Sequence, residues 1–483
     1  MPPTPAGALH ASARTLLHDN FFLYYDNFCP SYRHHTMNRP VLALLVALPL
    51  LSAGTGLALA APGPSALPAL SRQQAEDSLR NAADGEVFSL ADSLPRIQDP
   101  GLSTLAQARL AATRLDAEEA RRLVDRYLAE GTRSPAERAL AWPIVADASF
   151  ADGDYRQAAD AAHAWEKALA EQGASVDDRA GALQMAAIAD QLAIAPRQQV
   201  ETYAPVPVDV TRDKVGLPRS ILRINGHAQE AILDTGANLS TVSLSTARKL
   251  GLKLLDGTSS VGSASRQAVT TRVGIADHVE FAGLSLSHVA FLVLDDEQLD
   301  MPVPGGYQID AILGFPVLRQ LQRLQFTADG RLLPSRSAAS SVATGNLRMV
   351  GSDLYVNVRL NDMPVSMQLD SGGARSALSS GFASAHPAVI KGLQSKRERV
   401  AGAGGSRASE AVTWPDIRVR IGDQQALLPA ITIALHDAAG GKDVNLLGGD
   451  ILQAFEYWTI DFRRMQFEVG KPLTKATPQP RAE

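Results

Sequence analysis

One hairpin-and-turn motif occurs twice in this chain, and both copies are followed by the same signals at nearly the same spacing. The first copy ends Ile232-Leu233-Asp234-Thr235-Gly236-Ala237 and the second Gln368-Leu369-Asp370-Ser371-Gly372-Gly373. Each Asp closes an apolar, strand-like run, and each triplet opens a glycine-containing turn. An apolar pair and a glycine answer each copy: Ile312-Leu313-Gly314 lies 80 residues after Asp234, and Leu446-Leu447-Gly448 lies 78 residues after Asp370, counted to the glycine. A chain built this way is constrained to two similar units, each presenting one carboxylate on a turn.

The flanking texture agrees. Ile221 to Leu233 reads as two strands around Asn225-Gly226, the strongest short hairpin signal, and Leu354 to Leu369 repeats it around Asn361-Asp362. Glycine- and serine-rich hairpin candidates follow at 261–265 and 401–406. A strand pair then closes each copy, from Leu324 in the first and from Tyr457 in the second. The repeat is collinear through both copies, giving units at 205–335 and 345–470 joined by a polar linker of small residues at 333–345. Residues 471–483 read as a disordered tail.

Ahead of the repeat the periodicity is helical. From 72 to 195, Asp116 with Glu119 and Ser134-Pro135-Ala136-Glu137 are helix-start signals. Ala120, Leu123, Val124, Tyr127 and Leu128 form one apolar stripe that Gly131 stops. Gly153-Asp154-Tyr155 separates two such helices in a spacing resembling a tetratricopeptide-type repeat, without a clear second copy at a fixed period. The alternative is an irregular helical domain packed beside the repeat. Residues 198–216, with several Pro, Val and Thr, read as a linker, so the helical part is expected to fold as a module of its own.

Compartment is read from the N-terminus. Met37-Asn38-Arg39-Pro40, an apolar run at 41–51 and Ala58-Leu59-Ala60 have the layout of a secretory signal peptide at 37–60, which makes residues 1–36 an upstream over-extension. An uncleaved anchor helix is the alternative. The only cysteine is Cys29, so the mature chain would have no disulfide and no thiolate chemistry, which suits a periplasmic location. A net charge of −5 and the absence of a long run of one charge sign give no sign of a nucleic-acid partner. His278, His288, His386 and His436 are scattered without ligand spacing, so neither a metal nor another cofactor is expected.

The paired motif resembles the aspartic protease superfamily, in detail the retropepsin-like (retroviral-type) lobe. The resemblance implies two all-β barrel lobes related by a pseudo-two-fold axis, following the α-helical, tetratricopeptide-like domain. It also implies an aspartic endopeptidase in which Asp234 and Asp370 share one proton and activate a water. Carboxylates about 3 Å apart cannot both ionise cheaply, so one acts as base and the other as acid. By the same resemblance Thr235 and Ser371 steady the dyad across the lobe interface, and Gly236 and Gly372 allow close backbone approach. Gly262 and Ser263, and Gly402, Gly404 and Gly405, map onto flaps that close on an extended peptide. Gly373 and Ala374 depart from the usual residues after the second triplet, and neither flap carries an aromatic residue. The partner implied is a peptide or protein substrate bound by a monomer, with a protein partner for the helical part. The alternatives are a homodimer pairing equivalent lobes of two chains and a non-catalytic periplasmic peptide-binding or scaffold protein.

Overall fold

The computed structural model describes residues 20–21, 67–261, 269–301, 305–337, 345–402, 405–436 and 444–473. The segment read as a signal peptide, the residues Gly262, Ser263 and Gly404 read as flap residues, and the end of the tail lie outside them.

Helices come first because the capping signals act where the sequence places them. They are α1 (Arg72–Ala83), α2 (Phe88–Ser93), α3 (Pro100–Thr113), α4 (Ala117–Ala129), α5 (Pro135–Asp152), α6 (Tyr155–Glu171) and α7 (Val176–Ala193). Asp116 accepts the Glu119 N–H at 3.1 Å, and Ser134 forms a capping box with Glu137. α4 buries Ala120, Leu123, Val124 and Tyr127, the stripe seen in the sequence. Gly153 ends α5 in the left-handed region, where a glycine carries no Cβ penalty. Packing runs sequentially, α3 on α4, α4 on α5, α5 on α6 and α6 on α7.

Two barrels follow. The first contains β1 (Gln199–Tyr203), β2 (Val208–Asp209), β3 (Pro218–Ile224), β4 (His227–Leu233), β5 (Ser240–Ser243), β6 (Ser259–Val261), β7 (Val269–Phe281), β8 (Leu284–Leu294), β9 (Ala311–Leu313), β10 (Arg323–Thr327) and β11 (Arg331–Ser335). The second contains β12 (Leu347–Val350), β13 (Asp353–Leu360), β14 (Met363–Leu369), β15 (Ala377–Leu378), β16 (Ser395–Gly402), β17 (Gly405–Ile421), β18 (Gln424–Ala434), β19 (Leu446–Leu447), β20 (Tyr457–Asp461) and β21 (Gln466–Val469). In the first, β7-β8-β5-β9-β4-β3 lie side by side in that order and β3 pairs back to β7, closing six strands into a ring. In the second, β17-β18-β15-β19-β14-β13 close in the same order. Both predicted hairpins form with two-residue turns. Asn225 and Gly226, and Asn361 and Asp362, all have positive φ, which matches the twist of the flanking strands.

A third sheet joins the barrels. Its order is β21-β20-β10-β11-β2, so the closing strands of the two copies pair with each other, Phe326 opposite Trp458. Their rings stack with centroids 4.1 Å apart.

Two expectations change. Residues 198–216 do not form a plain linker: β1 pairs with β8 and β2 with β11, because Val200, Tyr203 and Val208 supply strand-forming apolar residues to open sheet edges. The helices also do not keep a core to themselves. A single apolar cluster runs from helix residues such as Leu105 and Met185 into Ile232, Leu292 and Ile312 of the first barrel. The strip of sequence between the two parts gives no hint of this, because the shared surface lies in strands far downstream.

Candidate active site

Each acidic triplet is held by the apolar-glycine strand that answers it. β4 pairs with β9 in parallel, Ile232 against Ile312 and Leu233 against Leu313, and the Asp234 N–H donates to the Leu313 carbonyl at 3.0 Å. β14 pairs with β19 in the same way, Gln368 against Leu446 and Leu369 against Leu447, and the Asp370 N–H donates to Leu447 at 3.0 Å. The strand period places Leu233 and Leu369 in the barrel cores. Asp234 and Asp370 therefore leave the opposite faces of their strands, out of the barrels.

The two turns meet. A Cβ built on Gly236 would lie 2.8 Å from Cγ of Asp370, and one on Gly372 would lie 2.3 Å from Cγ of Asp234. Each glycine thus packs against the other triplet's carboxylate, an approach open only to a residue without a side chain. Thr235 and Ser371 lock the junction reciprocally. The Thr235 N–H donates to Ser371 Oγ and the Ser371 N–H to Thr235 Oγ1, both at 3.0 Å. Their hydroxyls donate onward, Thr235 to the Leu369 carbonyl at 3.0 Å and Ser371 to the Leu233 carbonyl at 2.8 Å.

Both carboxylates are buried, Asp234 at 0% and Asp370 at 1% exposure. Burial pushes the Asp234 carboxyl up to about 6. The opposing influences are donors that favour its charged form, the Gly236 and Ala237 N–H groups at 2.8 and 3.2 Å from Oδ1 and a hydrogen bond with Asp370. Burial, and then the negative charge of Asp234, raise Asp370 well above the usual carboxylate range. Burial and mutual repulsion thus favour a single proton held by the pair, with Asp370 the more strongly raised of the two. That is the state a base and an acid need before a reaction begins. Among the described residues, no three His, Cys, Asp or Glu side chains converge as a metal site requires.

Sequence reasoning missed the serines behind the turns. Ser240 Oγ accepts the Gly314 N–H at 3.1 Å, and Ser376 Oγ accepts the Gly448 N–H at 2.9 Å. Each stands six residues after its Asp, a signal present in the alignment of the two copies. Ser376 also donates to Asp450 at 2.5 Å, a contact the first barrel lacks because Pro316 stands at the matching place. Of the flap residues, Gly402 and Gly405 face each other as the last pair of the β16–β17 hairpin.

Residues 221–317 match the family model described as aspartyl protease. The match spans Asp234-Thr235-Gly236 and Gly314 and stops short of Asp370. No curated protein matches the chain. Among solved structures, it is similar to a retropepsin-like aspartic protease from Rickettsia conorii at 16% identity, covering 28% of this chain and 91% of that one with a TM-score of 0.19.

Proposed function

We propose that this protein is an aspartic endopeptidase whose dyad, Asp234 and Asp370, forms within one chain. The two barrels act as tandem retropepsin-like lobes about a pseudo-two-fold axis, and the molecule works as a monomer. The single observation that carries the reading is the reciprocal packing of Gly236 on Asp370 and Gly372 on Asp234. Two turns so arranged serve no packing need that a simpler loop would not meet, and burying two carboxylates together is expensive unless they share a proton.

In the reaction, Asp234 takes a proton from a water, which attacks the scissile carbonyl carbon. Asp370 gives its proton to the carbonyl oxygen as the tetrahedral intermediate forms. As that intermediate collapses, the amine leaves with the proton gained by Asp234 and one diol hydroxyl returns a proton to Asp370, so the starting pair is restored and neither carboxylate bonds covalently to substrate. The hairpin ending at Gly402 and Gly405, with its first-barrel counterpart, closes over the peptide.

The sequential packing of α3 to α7 supports a tetratricopeptide-like reading of the helices, with a protein partner or substrate docking there. The layout at 37–60 supports export and a mature N-terminus near Ala61, which N-terminal sequencing of protein from its native host decides. Cleavage of a peptide library by the purified chain, with and without a pepstatin-type transition-state mimic, tests the activity. No cleavage under any condition that keeps the fold would refute it.

A further inference from the structure

The faces of β4 and β14 that carry the carboxylates are not open. Ile232 lies on the Asp234 side of β4, and it is wholly buried in the apolar cluster that the helices share with the first barrel. Ala237, three residues after Asp234, belongs to the same cluster, and Ala374, four residues after Asp370, packs against it. The apolar cluster that the helices share with the first barrel therefore extends to within three or four residues of each Asp.

On the second barrel the cover is the turn between α1 and α2. Ser366 lies on the Asp370 side of β14, and its Oγ donates to the Gly85 carbonyl at 2.6 Å. Tyr355 stands directly opposite Gln368 and so shares that face. Its ring comes within 2.8 Å of where a Cβ on Gly85 would sit. Val87 packs with Val350 and Tyr355 in a small cluster of their own. At the other end of the helical array, α7 packs against β6, the strand leading to the first predicted flap.

An extended peptide must lie over both carboxylates to be cut, and it must lie on this face. The two halves of the cover are unequal. Against the first barrel it is a continuous apolar core, whereas against the second it is the Ser366–Gly85 hydrogen bond, the small Val87 cluster, Arg348 over the Phe88 ring and α3 packed on β12. Opening along the second contact leaves that continuous apolar core intact. Building on the protease reading, we propose that the helical region is a cover for the dyad that stays with the first barrel and parts from the second to admit substrate.

The test fixes that seam reversibly. In a full-length chain with Cys29→Ser, Val87→Cys and Val350→Cys introduce the only two thiols, on opposite sides of the seam. Two rates are measured, oxidised and reduced: cleavage of a library-derived peptide, and esterification of the dyad by a nitrophenoxy epoxide, which reports access without turnover. Both should fall roughly tenfold or more on oxidation and return with reductant. Ser366→Ala, which removes the hydrogen bond to Gly85 without a crosslink, should raise both roughly two- to tenfold. Equal labelling in the oxidised and reduced forms, with a mass-verified disulfide and no rise in Ser366→Ala, would overturn the cover. If the unmodified chain cleaves nothing, the protease reading fails by itself. The labelling rates still decide the cover, slower labelling in the oxidised form upholding it and equal labelling overturning it.

Discussion

Thr235 and Ser371 exchange hydrogen bonds across the barrel junction, each backbone N–H donating to the other's hydroxyl at 3.0 Å. Both residues are buried, so a lost acceptor leaves an N–H with no water to turn to. Ser371→Ala and Thr235→Val should each cost about 2–4 kcal/mol in urea unfolding, while Thr235→Ser, which keeps the hydroxyl, should cost under about 1 kcal/mol. Equal effects of Thr235→Val and Thr235→Ser would show that the hydroxyl is not what joins the barrels.

The glycines make a sharper demand on catalysis than on stability. A methyl at Gly372 would fall 2.3 Å from the Asp234 carboxyl carbon, so the turn or the carboxylate must shift. Displacements of about 1 Å at reacting groups lower rates roughly a hundredfold. Gly372→Ala should lose at least that in kcat/KM while keeping its circular dichroism, and Gly236→Ala should behave alike. Wild-type kinetics in either variant would mean that the opposing carboxylate is not in the reaction.

Replacing a carboxylate should abolish cleavage yet stabilise the fold at neutral pH. Asp234 is raised from 3.8 to about 6 by burial, so its ionisation opposes folding. The penalty is absent below the unfolded value, grows between about pH 4 and 6, and is constant above. Asp234→Asn should therefore be more stable than wild type by roughly 2–3 kcal/mol at pH 8 and equal to it near pH 3.5. Urea denaturation at the two pH values reads this, and a variant less stable at pH 8 would contradict it.

Activity needs one charge and one proton in the pair. As pH falls below about 6, Asp234 loses its charge and the base with it. As pH rises further, the proton on Asp370, raised by burial and by its neighbour's charge, is lost in turn. The kcat/KM profile on a neutral peptide should be bell-shaped with its acid limb near pH 6. Full activity maintained at pH 3.5 would rule out the assignment of the charge to Asp234 in the closed, buried pair.

What could be read from sequence was what neighbouring residues decide. Asn225-Gly226 and Asn361-Asp362 set their own hairpins, and Asp116 and Ser134 cap their own helices, because turn and cap chemistry spans a few residues. Asp234 and Asp370 stood out because each lies within a local repeat. The pairing of β10 with β20, the strands hidden in 198–216 and the burial of Ile232 under the helices were not legible. Each depends on surfaces brought together from far apart in the chain, and an apolar side chain carries the same signal whatever covers it. Ser240 and Ser376 were legible in principle, since aligning the two copies brings them to one position.

The central sheet has a consequence for how the molecule is made. β10 is complete long before its partner β20, which lies near the end of the described chain. During synthesis the first barrel emerges with that edge unpaired, and Asp234 waits without a neighbour. Only when residues 457–461 arrive can the sheet close and the second carboxylate be held in place. On the proposed reaction the chain should cut nothing while it is being made, and any truncation that removes its last strands should yield a product that is inert for want of a partner strand.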